Sequence, residues 1–599
     1  MTGTDATNTD GLTSGPAPDA PARSAVEDVK EASRFLRGTL ADELAEASDH
    51  FSHDNTQLLK FHGVYQQDDR DQRRARAAKR EDLAHSCMVR TSLPGGVLTA
   101  EQWLAADALA DQVGDGTLRV TTRQDLQYHF VAKQDLRTLI SELNRHLVTT
   151  RGACGDGVRN VVACPALVKG RDQGELVAVA QELAARFRPR TGAYWELWVD
   201  GQKSVSALEA PESEPLYGTT FLPRKFKIGL AWPGDNCIDV YSQDVGIVPH
   251  DGGYAVLVGG GLGLSHAREE DTYPRLASPL CWVPEERLGD TVEAIVTVQR
   301  DFGDRLDRQR ARLKYTIDVG GLEWFRAEVE RRVGVPLAAP PELEPWAGSD
   351  EHLGWCEQPD GSWSLGVHVD SGRVRDHAGT QLRTALRAAV AHAAEVRLTA
   401  RQDVLLCGIA VGDRAAVEEV LRAHGVALAE ELRPLRRLAM ACPALPTCGQ
   451  ALGEAERIMP GLVDGLDKAL VERGLGDLEL RVNVTGCPNG CARPYTAELG
   501  IVGRTKKTYD LYVGGTVGGD RLAERVARDV ALDDIPTALG PLLEAYASGG
   551  REGEGFGEYC ARVGGEVLVP LVPETGRRRR GARAAAAAAG ADAEAEGPG

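Results

Sequence analysis

The chain has 599 residues, of which 42% are hydrophobic, and its formal net charge is -19 at pH 7. That length allows several domains with substantial cores, and the acidity disfavours nucleic acid as a partner because phosphate binding needs surplus Lys and Arg. No stretch reaches the roughly eighteen apolar residues of a membrane helix, and residues 1–22 lack the basic start and apolar core of a signal peptide. We therefore expect a cytoplasmic protein that binds neither membrane nor nucleic acid.

The predicted elements follow a strand, turn, strand, helix order. Capping boxes at 24–27 and 99–102 predict two helix starts, with Ser or Thr at the first position and Glu or Gln at the fourth. Residues 117–122 and 126–131 alternate apolar and polar side chains and predict two strands. Apolar residues at helical spacing then predict a helix that packs on this sheet: Leu136, Leu139, Ile140, Leu143 and Leu147.

Two internal repeats show that this unit is duplicated. The motif at 163–167, Ala-Cys-Pro-Ala-Leu, recurs without a gap at 441–445, and the residues before it recur at the same spacing of 278: Arg119, Thr121, Arg123, Gln124 and Asp125 match Arg397, Thr399, Arg401, Gln402 and Asp403. At a spacing of 254, Tyr241 matches Tyr495 and Cys237 matches Cys491. The repeats predict an α+β fold in which two copies of a module are related by pseudo-twofold symmetry.

Four cysteines near the end of the second copy form two close pairs. Cys442 and Cys448 enclose five residues, and Cys487 and Cys491 enclose three. Four thiolates are the number that holds a [4Fe-4S] cluster. Structural zinc is an alternative, but its paired ligands are usually separated by about two to four residues. A disulfide is a second alternative, which fits poorly with a chain that shows no export signal.

The first copy keeps only part of this cysteine set. Cys164 matches Cys442, but Gly170 stands at the position of Cys448 and Pro233 at that of Cys487. A cluster site is therefore expected in the second copy alone. Six further cysteines are expected to be small core residues rather than ligands: Cys87, Cys154, Cys281, Cys356, Cys407 and Cys560.

These motifs resemble those of the assimilatory sulfite reductase hemoprotein family, and the resemblance covers about residues 30 to 570. It is carried by the segments FHGVYQQDDR at 61–70, LPGG at 93–96, LPRKFK at 222–227, VGGG at 258–261, TVQRD at 297–301, KYT at 314–316 and TGCPNGC at 485–491. The resemblance implies a sirohaem whose iron is joined through a cysteine sulfur to a [4Fe-4S] cluster, and a six-electron reduction of sulfite to sulfide.

The resemblance also assigns site residues. The positions that match the cluster ligands are Cys442, Cys448, Cys487 and, as the bridging thiolate, Cys491. Four cationic positions match the sulfite-binding residues: Arg90, Arg159, Lys225 and Lys227. Further positions match sirohaem contacts: Arg119, Arg123, Gln127, His129, Arg224 and Asn489. From the sequence, a helix start at Gln450 is expected to place Cys448 near a helix N-terminus, which favours a thiolate.

With this resemblance, the chain divides into seven segments. The expected segments are a disordered tail at 1–24, an N-terminal segment at 25–80, ferredoxin-like half-domains at 81–160 and 341–430, a sirohaem-binding domain at 161–340, a 4Fe-4S and sirohaem domain at 431–575, and a second disordered tail at 576–599.

Competing functions are a ferredoxin-dependent nitrite reductase, which shares the cofactors, and a non-catalytic scaffold with a structural metal. Nitrite reducers of this family tend to carry Asn at the position of Lys227, so Lys227 favours sulfite. The glycine run at 258–263 lacks a dinucleotide fingerprint, so the electrons are expected from a partner protein, either a ferredoxin or an NADPH-oxidising flavoprotein.

Overall fold

The computed structural model describes residues 23–166, 174–192, 197–199, 202–205, 213–344, 346 and 351–573. Of the two predicted tails, 1–22 and 576–599 lie outside these residues. Four five-stranded sheets and the helices around them make up the described fold. The sheets form two pairs, and within each pair the two members come from different halves of the chain.

The first pair consists of two antiparallel sheets that exchange edge strands. One has the order β1 (Val64–Asp68), β2 (His85–Arg90), β5 (Leu126–Val131), β4 (Leu118–Val120) and β15 (Arg373–Val374). The other has the order β13 (Gly354–Glu357), β14 (Trp363–Val367), β19 (Val404–Ile409), β18 (Glu395–Leu398) and β3 (Val97–Thr99). Each half of the chain therefore supplies the last strand of the other half's sheet.

Glycines permit this exchange because the crossing backbones approach closely. Gly96 has a φ of +74°, and a Cβ there would lie 2.7 Å from the carbonyl oxygen of Leu398. Gly372 has a φ of +75°, and its Cβ would lie 2.2 Å from the carbonyl oxygen of Val120. Val120 and Leu398 are themselves 278 residues apart, so the same solution occurs in both copies.

The second pair consists of two mixed sheets with one topology. Their orders are β6 (Val162–Ala163), β9 (Ile228–Leu230), β10 (Val245–His250), β11 (Gly253–Val258), β12 (Ser278–Pro284), and β20 (Met440–Ala441), β21 (Val482–Thr485), β22 (Leu499–Gly503), β23 (Thr508–Val513), β24 (Glu524–Ala531). In each sheet the first three strands are parallel and the last two antiparallel. Two short ribbons complete the strands: β7 (Leu197–Val199) with β8 (Gln202–Val205), and β16 (Asp376–His377) with β17 (Thr380–Gln381).

Helices cover these sheets. Those of the first half are α1 (Ala25–Ala32), α2 (Leu40–Ala45), α3 (His53–Leu59), α4 (Arg73–Lys79), α5 (Ala100–Val113), α6 (Leu136–Arg145), α7 (Gly174–Arg186), α8 (Glu285–Phe302), α9 (Leu313–Gly320) and α10 (Leu322–Val333). Those of the second half are α11 (Leu382–Ala389), α12 (Arg414–Ala423), α13 (Pro434–Leu438), α14 (Met459–Val471), α15 (Ile535–Gly549), α16 (Phe556–Val563) and α17 (Gly565–Leu568). None of the helices in the described part of the chain combines the length and hydropathy needed to cross a bilayer.

The cores follow the same division. Helices α5, α6, α11 and α12 pack on the exchanged sheets and share one core, in which Trp103, Leu139 and Leu386 are buried. Each mixed sheet has a core of its own. An ionic contact joins the two halves, because Arg383 on α11 donates from Nε to Asp107 on α5 at 2.5 Å. The duplicated α+β fold predicted from the repeats is confirmed.

Two local predictions need correction. The capping box at Thr99 and Gln102 forms as expected, but Ser24 precedes α1 without a side-chain capping bond. Leu147 was expected on the apolar face of α6, which ends at Arg145; instead Leu147 has a φ of +59° and is 88% exposed. The chain turns before Leu147, so helical spacing no longer applies to it.

His368 stands 278 residues after Arg90 and gives a prediction about stability. Its Nδ1 lies 3.1 Å from Asp403 and its Nε2 lies 3.2 Å from Asp370. Burial opposes a charge there, but the two carboxylates outweigh it and raise the pKa of His368 to about 9. A histidine whose pKa rises on folding stabilises the fold below its unfolded pKa, and this contribution is lost as the pH rises through about 9.

We therefore expect His368→Gln to destabilise the protein more at about pH 6 than at about pH 10, by on the order of 2 kcal/mol. The measurement is the difference in unfolding temperature between wild type and variant at both pH values. His377→Gln, at an exposed histidine on β16, is the matched control. An equal destabilisation by His368→Gln at both pH values would contradict the prediction.

Candidate active site

The four paired cysteines lie at one edge of the second mixed sheet. Cys442 directly follows β20 and Cys487 lies just beyond the neighbouring parallel strand β21, so the carboxyl ends of both strands bring them together. The N–H of Cys442 donates to the carbonyl of Val484 at 3.1 Å, and the N–H of Gly486 donates to the sulfur of Cys442 at 3.3 Å. A Cβ at Gly486 would lie 2.6 Å from the carbonyl oxygen of Gly453, so the loop needs glycine there.

Cys448 lies in a turn, which corrects the expected helix start at Gln450. Helix α14 begins only at Met459, after a short 3-10 turn. Backbone N–H groups of Gln450 and Ala451 still donate to the sulfur of Cys448 and favour its thiolate. Burial nevertheless dominates and raises the pKa of Cys448, the reverse of the expected direction.

Electrostatic coupling links the four thiols to one another. Burial and, after it, the charge of Cys491 raise the pKa of Cys442 and of Cys487, the latter to about 12. Protonated buried thiols become thiolates when they bind a cation. Cys442 and Cys487 are buried and Cys448 is half-buried, whereas Cys491 is exposed. The set therefore offers four soft ligands, with one of them turned outward.

Arg70 holds the Cys448 loop and was not singled out from the sequence as a site residue. Its Nη1 donates to the carbonyl oxygens of Cys448 at 3.1 Å and Ala451 at 2.5 Å. Its own N–H donates to the carbonyl of Pro446 at 3.3 Å. Arg70 follows β1, so the N-terminal segment braces a loop almost 380 residues away in sequence. Repeats and residue spacing could not reveal this contact, because the groups that accept from Arg70 are backbone carbonyls, which every residue has.

We expect Arg70→Ala to speed the loss of a bound cluster in air by about tenfold, because it removes two hydrogen bonds from a charged donor. Acid-labile sulfide, followed over time after exposure to air, measures this loss. Arg74→Ala, at an exposed arginine on α4, is the control and should behave as wild type. Equal rates for Arg70→Ala and Arg74→Ala would show that the loop does not depend on Arg70.

The four predicted anion-binding cations lie close enough to interact electrostatically with one another or with Cys491. The charge of Cys491 acts on Arg90, Lys225 and Lys227, which come from β2 and from the segment just before β9. Arg159 donates from Nη2 to the hydroxyl of Tyr65 at 3.2 Å. The structure therefore brings together residues from four separate parts of the chain.

Most of these cations form no ion pair within the described part of the chain. Arg90 has Asp125 at 3.6 Å, whereas within the described ranges no ion pair forms at Arg159, Arg224, Lys225 or Lys227. The neighbouring Asp244 is paired with Arg312 at 2.8 Å, and Asp156 with Arg308 at 2.7 Å. Such a concentration of unneutralised positive charge favours an anionic ligand.

Burial and the neighbouring positive charges lower the pKa of both lysines. Burial, followed by Arg224 and Arg159, lowers the pKa of Lys225 to about 7. Burial and the charge of Lys225 lower the pKa of Lys227 well below its ordinary value. An anion that arrives between them reverses these shifts, since a negative charge favours the protonated lysines. Any anion that bound here would therefore promote proton uptake by the two lysines.

The predicted sirohaem contacts surround the same region. Arg119 and Gln127 are neighbours across β4 and β5, and the guanidinium of Arg90 faces the amide of Gln127, with Nε 3.0 Å from its oxygen in the favourable amide orientation. His129 is buried, its Nδ1 has no hydrogen-bond partner among the described residues, and burial together with Arg373 and Arg119 lowers its pKa. Asn489 and Arg224 are half-buried.

Two of these predicted contacts already have protein partners. Arg119 donates from Nε to Glu456 at 3.0 Å and from Nη2 to the carbonyl of Ala441 at 2.8 Å, next to Cys442. Arg123 donates from Nη1 to Gln243 at 2.6 Å, and in the part of the chain that the structure describes its Nε has no hydrogen-bond partner. Both guanidiniums therefore form hydrogen bonds with residues that line the site, and they also add positive charge to it.

Other residues of the site were not identified from the sequence. Tyr65 orients Arg159, and Glu456 joins Arg119 to Arg373, with its Oε1 2.7 Å from Nε of Arg373. Among the cysteines expected in the core, Cys356 is exposed, which corrects that prediction. Cys154 is buried as expected, and its charge acts on Arg90 and Arg159.

Comparisons with known proteins identify the modules. The model of the nitrite and sulphite reductase 4Fe-4S domain matches residues 179–337 and 435–577, and that of the nitrite/sulfite reductase ferredoxin-like half domain matches 79–146 and 357–424. The chain belongs to the nitrite and sulfite reductase family. Each model matches twice, as the duplication requires.

Similar proteins extend this result over most of the chain. A protein named sulfite reductase [ferredoxin] from Synechococcus elongatus is 44% identical, with 91% of this chain and 90% of that protein covered. The sulfite reductase [NADPH] hemoprotein beta-component of Myxococcus xanthus is 43% identical, with coverage of 92% and 98%. The solved structure of the Mycobacterium tuberculosis NirA protein shares the fold, with a TM-score of 0.75, 23% identity and coverage of 91% and 97%.

The residues present fit the cofactors of this family. Four thiols at one sheet edge, three of them approached by backbone N–H donors, suit a [4Fe-4S] cluster, whose sulfurs carry negative charge. The buried His129 with an unpaired nitrogen, and the unneutralised cations beside Cys491, suit a macrocycle with many carboxylates. Nitrite and sulfite reductase modules of this kind hold a sirohaem and a [4Fe-4S] cluster.

Proposed function

We propose that the protein reduces sulfite to sulfide, a reaction that takes up six electrons, at a sirohaem joined through Cys491 to a [4Fe-4S] cluster held by Cys442, Cys448, Cys487 and Cys491. The observation that carries this proposal is the group of four cations near the exposed Cys491, three of which form no ion pair with the described residues. When bound, the coupled cofactors supply single electrons to the sulfur atom of the substrate.

The protein's own contribution is to bind and orient the oxyanion. Arg90, Arg159, Lys225 and Lys227 are proposed to hold sulfite, because a dianion gains most where positive charges are already fixed and partly shielded from water. The guanidinium of Arg159 is oriented by Tyr65, and that of Arg90 by Asp125 and Gln127. These contacts reduce the reorganisation that binding would otherwise cost.

The two lysines are also proposed to supply protons. Cleavage of each S–O bond releases oxygen as water, so protons must reach the oxygens as electrons arrive. In the absence of an anion the pKa of Lys225 is lowered to about 7, so its Nζ takes up a proton as the anion binds and can pass it to an oxygen as the S–O bond breaks. Its lowered pKa therefore supports a role in proton transfer as well as in binding.

Six residues are proposed to orient the macrocycle through its carboxylates and edges. They are Arg119, Arg123, Gln127, His129, Arg224 and Asn489. Charge and hydrogen-bond donors support the assignment for the three arginines, since guanidinium pairs with carboxylates through two N–H groups. We propose that the protein works in the cytoplasm and takes its electrons from a separate donor protein, either a ferredoxin or a flavoprotein that oxidises NADPH.

The test compares substrates with holoprotein purified anaerobically from cells that make sirohaem. Sulfide formed from sulfite and ammonia formed from nitrite are measured with one artificial electron donor. We expect a higher kcat/KM for sulfite, because Lys227 adds a cation for the dianion. A clear preference for nitrite would assign the protein to nitrite reduction, and a colourless protein without tetrapyrrole would leave only a scaffold role. Reduced ferredoxin, and NADPH with a flavoprotein, are then compared as donors.

A further inference from the structure

The first copy of the module carries a second group of metal-ligating side chains at the position that corresponds to the cluster. Cys164 follows β6 as Cys442 follows β20, and its N–H donates to the carbonyl of Leu230 at 3.1 Å. Leu230 stands 254 residues before Val484, the matching acceptor for Cys442. Cys237 matches Cys491 at the same spacing. The duplication therefore places these two thiols where the other copy holds its cluster.

Two further ligands complete the group. The ligand atoms of Cys164, Asp235, Cys237 and His352 all lie within 4.8 Å of one another. The sulfur of Cys164 lies 3.3 Å from Oδ2 of Asp235 and 3.6 Å from Nε2 of His352, and Nε2 of His352 lies 3.5 Å from Oδ2 of Asp235. The side chains of Asp235 and His352 are only 8% and 4% exposed.

We propose that this quartet, which we call the Cys164 site, binds a zinc ion. Two thiols, one imidazole and one carboxylate are ligands that zinc accepts in tetrahedral coordination, and four protein ligands leave no open position. The mixture of sulfur, nitrogen and oxygen favours zinc over the hard cations Ca²⁺ and Mg²⁺, which take oxygen ligands. Two cysteines do not supply the four thiolates that a [4Fe-4S] cluster usually uses.

The surroundings accommodate the negative charge of such a site. Two thiolates and a carboxylate exceed the charge of Zn²⁺ by one, and the buried guanidinium of Arg493 interacts electrostatically with Cys237. Arg493 also pairs with Asp239 at 2.7 Å, two residues from Cys237. Arg493 stands two residues after Cys491, so one arginine connects the Cys164 site to the cluster loop of the other copy.

The role that follows is structural. Cys164, Asp235 and Cys237 belong to the first mixed sheet and its loops, whereas His352 lies just before β13, where the chain enters the second half. A zinc ion would link the segment before β13 to the first mixed sheet. Because the ion binds the folded arrangement and not the unfolded chain, its binding free energy adds to the stability of the junction.

The test uses the full chain, purified anaerobically from cells grown with zinc and without a metal-affinity step. Zinc per chain is measured by mass spectrometry of the elements, and X-ray absorption at the zinc edge gives its ligands. We expect stoichiometric zinc with two sulfur ligands at about 2.3 Å and two nitrogen or oxygen ligands at about 2.0 to 2.1 Å. His352→Ala and Cys237→Ser should lose the zinc, whereas Cys281→Ser, at a buried cysteine in the same core, should keep it.

Iron content reports separately on the proposed active site. It should stay unchanged in His352→Ala, so loss of zinc without loss of iron supports the Cys164 site independently of sulfite reduction. Zinc at background in the wild-type chain would overturn the proposal. So would zinc that is equally retained by His352→Ala, or a disulfide between Cys164 and Cys237 in peptides from the unreduced protein. The X-ray absorption spectrum of the wild-type chain at the zinc edge tests the Cys164 site even where a variant does not fold.

Discussion

Replacing Lys227 by Asn is expected to lower kcat/KM for sulfite by about 100-fold or more, the usual cost of removing one group that stabilises developing charge. The four proposed cations act on one small dianion, and burial together with the charge of Lys225 lowers the pKa of Lys227 in the absence of an anion. Without it, the site holds a doubly charged oxyanion with three cations. Steady-state sulfide formation with an artificial donor measures the effect.

Nitrite provides the internal comparison for Lys227→Asn. A monoanion depends less on the lost charge, so kcat/KM for nitrite should change by a smaller factor and the preference should move toward nitrite. Lys227→Arg keeps the charge and should retain more sulfite activity than Lys227→Asn. Equal losses for sulfite and nitrite would mean that Lys227 shapes the site without distinguishing the anions, and the argument from its charge would fail.

The repeats predicted the architecture because duplication preserves spacing. The match of 163–167 to 441–445 identified β6 and β20 as corresponding strands, and the match of Cys237 to Cys491 related the loops that follow β9 and β21. Hydrophobic periodicity placed the strands before and after Gln124 correctly. Periodicity could not locate the end of α6, because Leu147 satisfies the helical spacing although the backbone has already turned.

The site was predictable where residue type decides the chemistry, and not where geometry does. The cysteine pairs could be read from their spacing. Arg70 and Tyr65 could not, since one acts through backbone carbonyls and the other by orienting Arg159. His352 falls outside both repeats, so only the fold brings it to Cys164. The expected helix at Gln450 was wrong because the Cys448 turn, although it presents N–H groups, is not continued as a helix.

Cys491→Ser is expected to abolish sulfite reduction while the fold is kept. Cys491 is exposed and faces the cations, whereas the other proposed cluster ligands are at least partly covered by protein. A serine hydroxyl is a harder and far less acidic ligand than a thiol, so it does not replace a thiolate between two iron centres. Sulfide formation should fall to the background rate, and the spectrum should lose any signature of coupling between the two cofactors.

The matched control is Cys560→Ser. Cys560 is buried in the core of the second mixed sheet and lies outside the site. This variant should keep its iron, acid-labile sulfide and activity close to wild-type values. Cys442→Ser should differ from both, because loss of a buried ligand at the sheet edge removes cluster iron as well as activity. If Cys491→Ser kept activity within a few-fold of Cys560→Ser, electrons would reach the substrate without the sulfur at 491. The role proposed for Cys491 would then be wrong, whatever cofactors the protein contained.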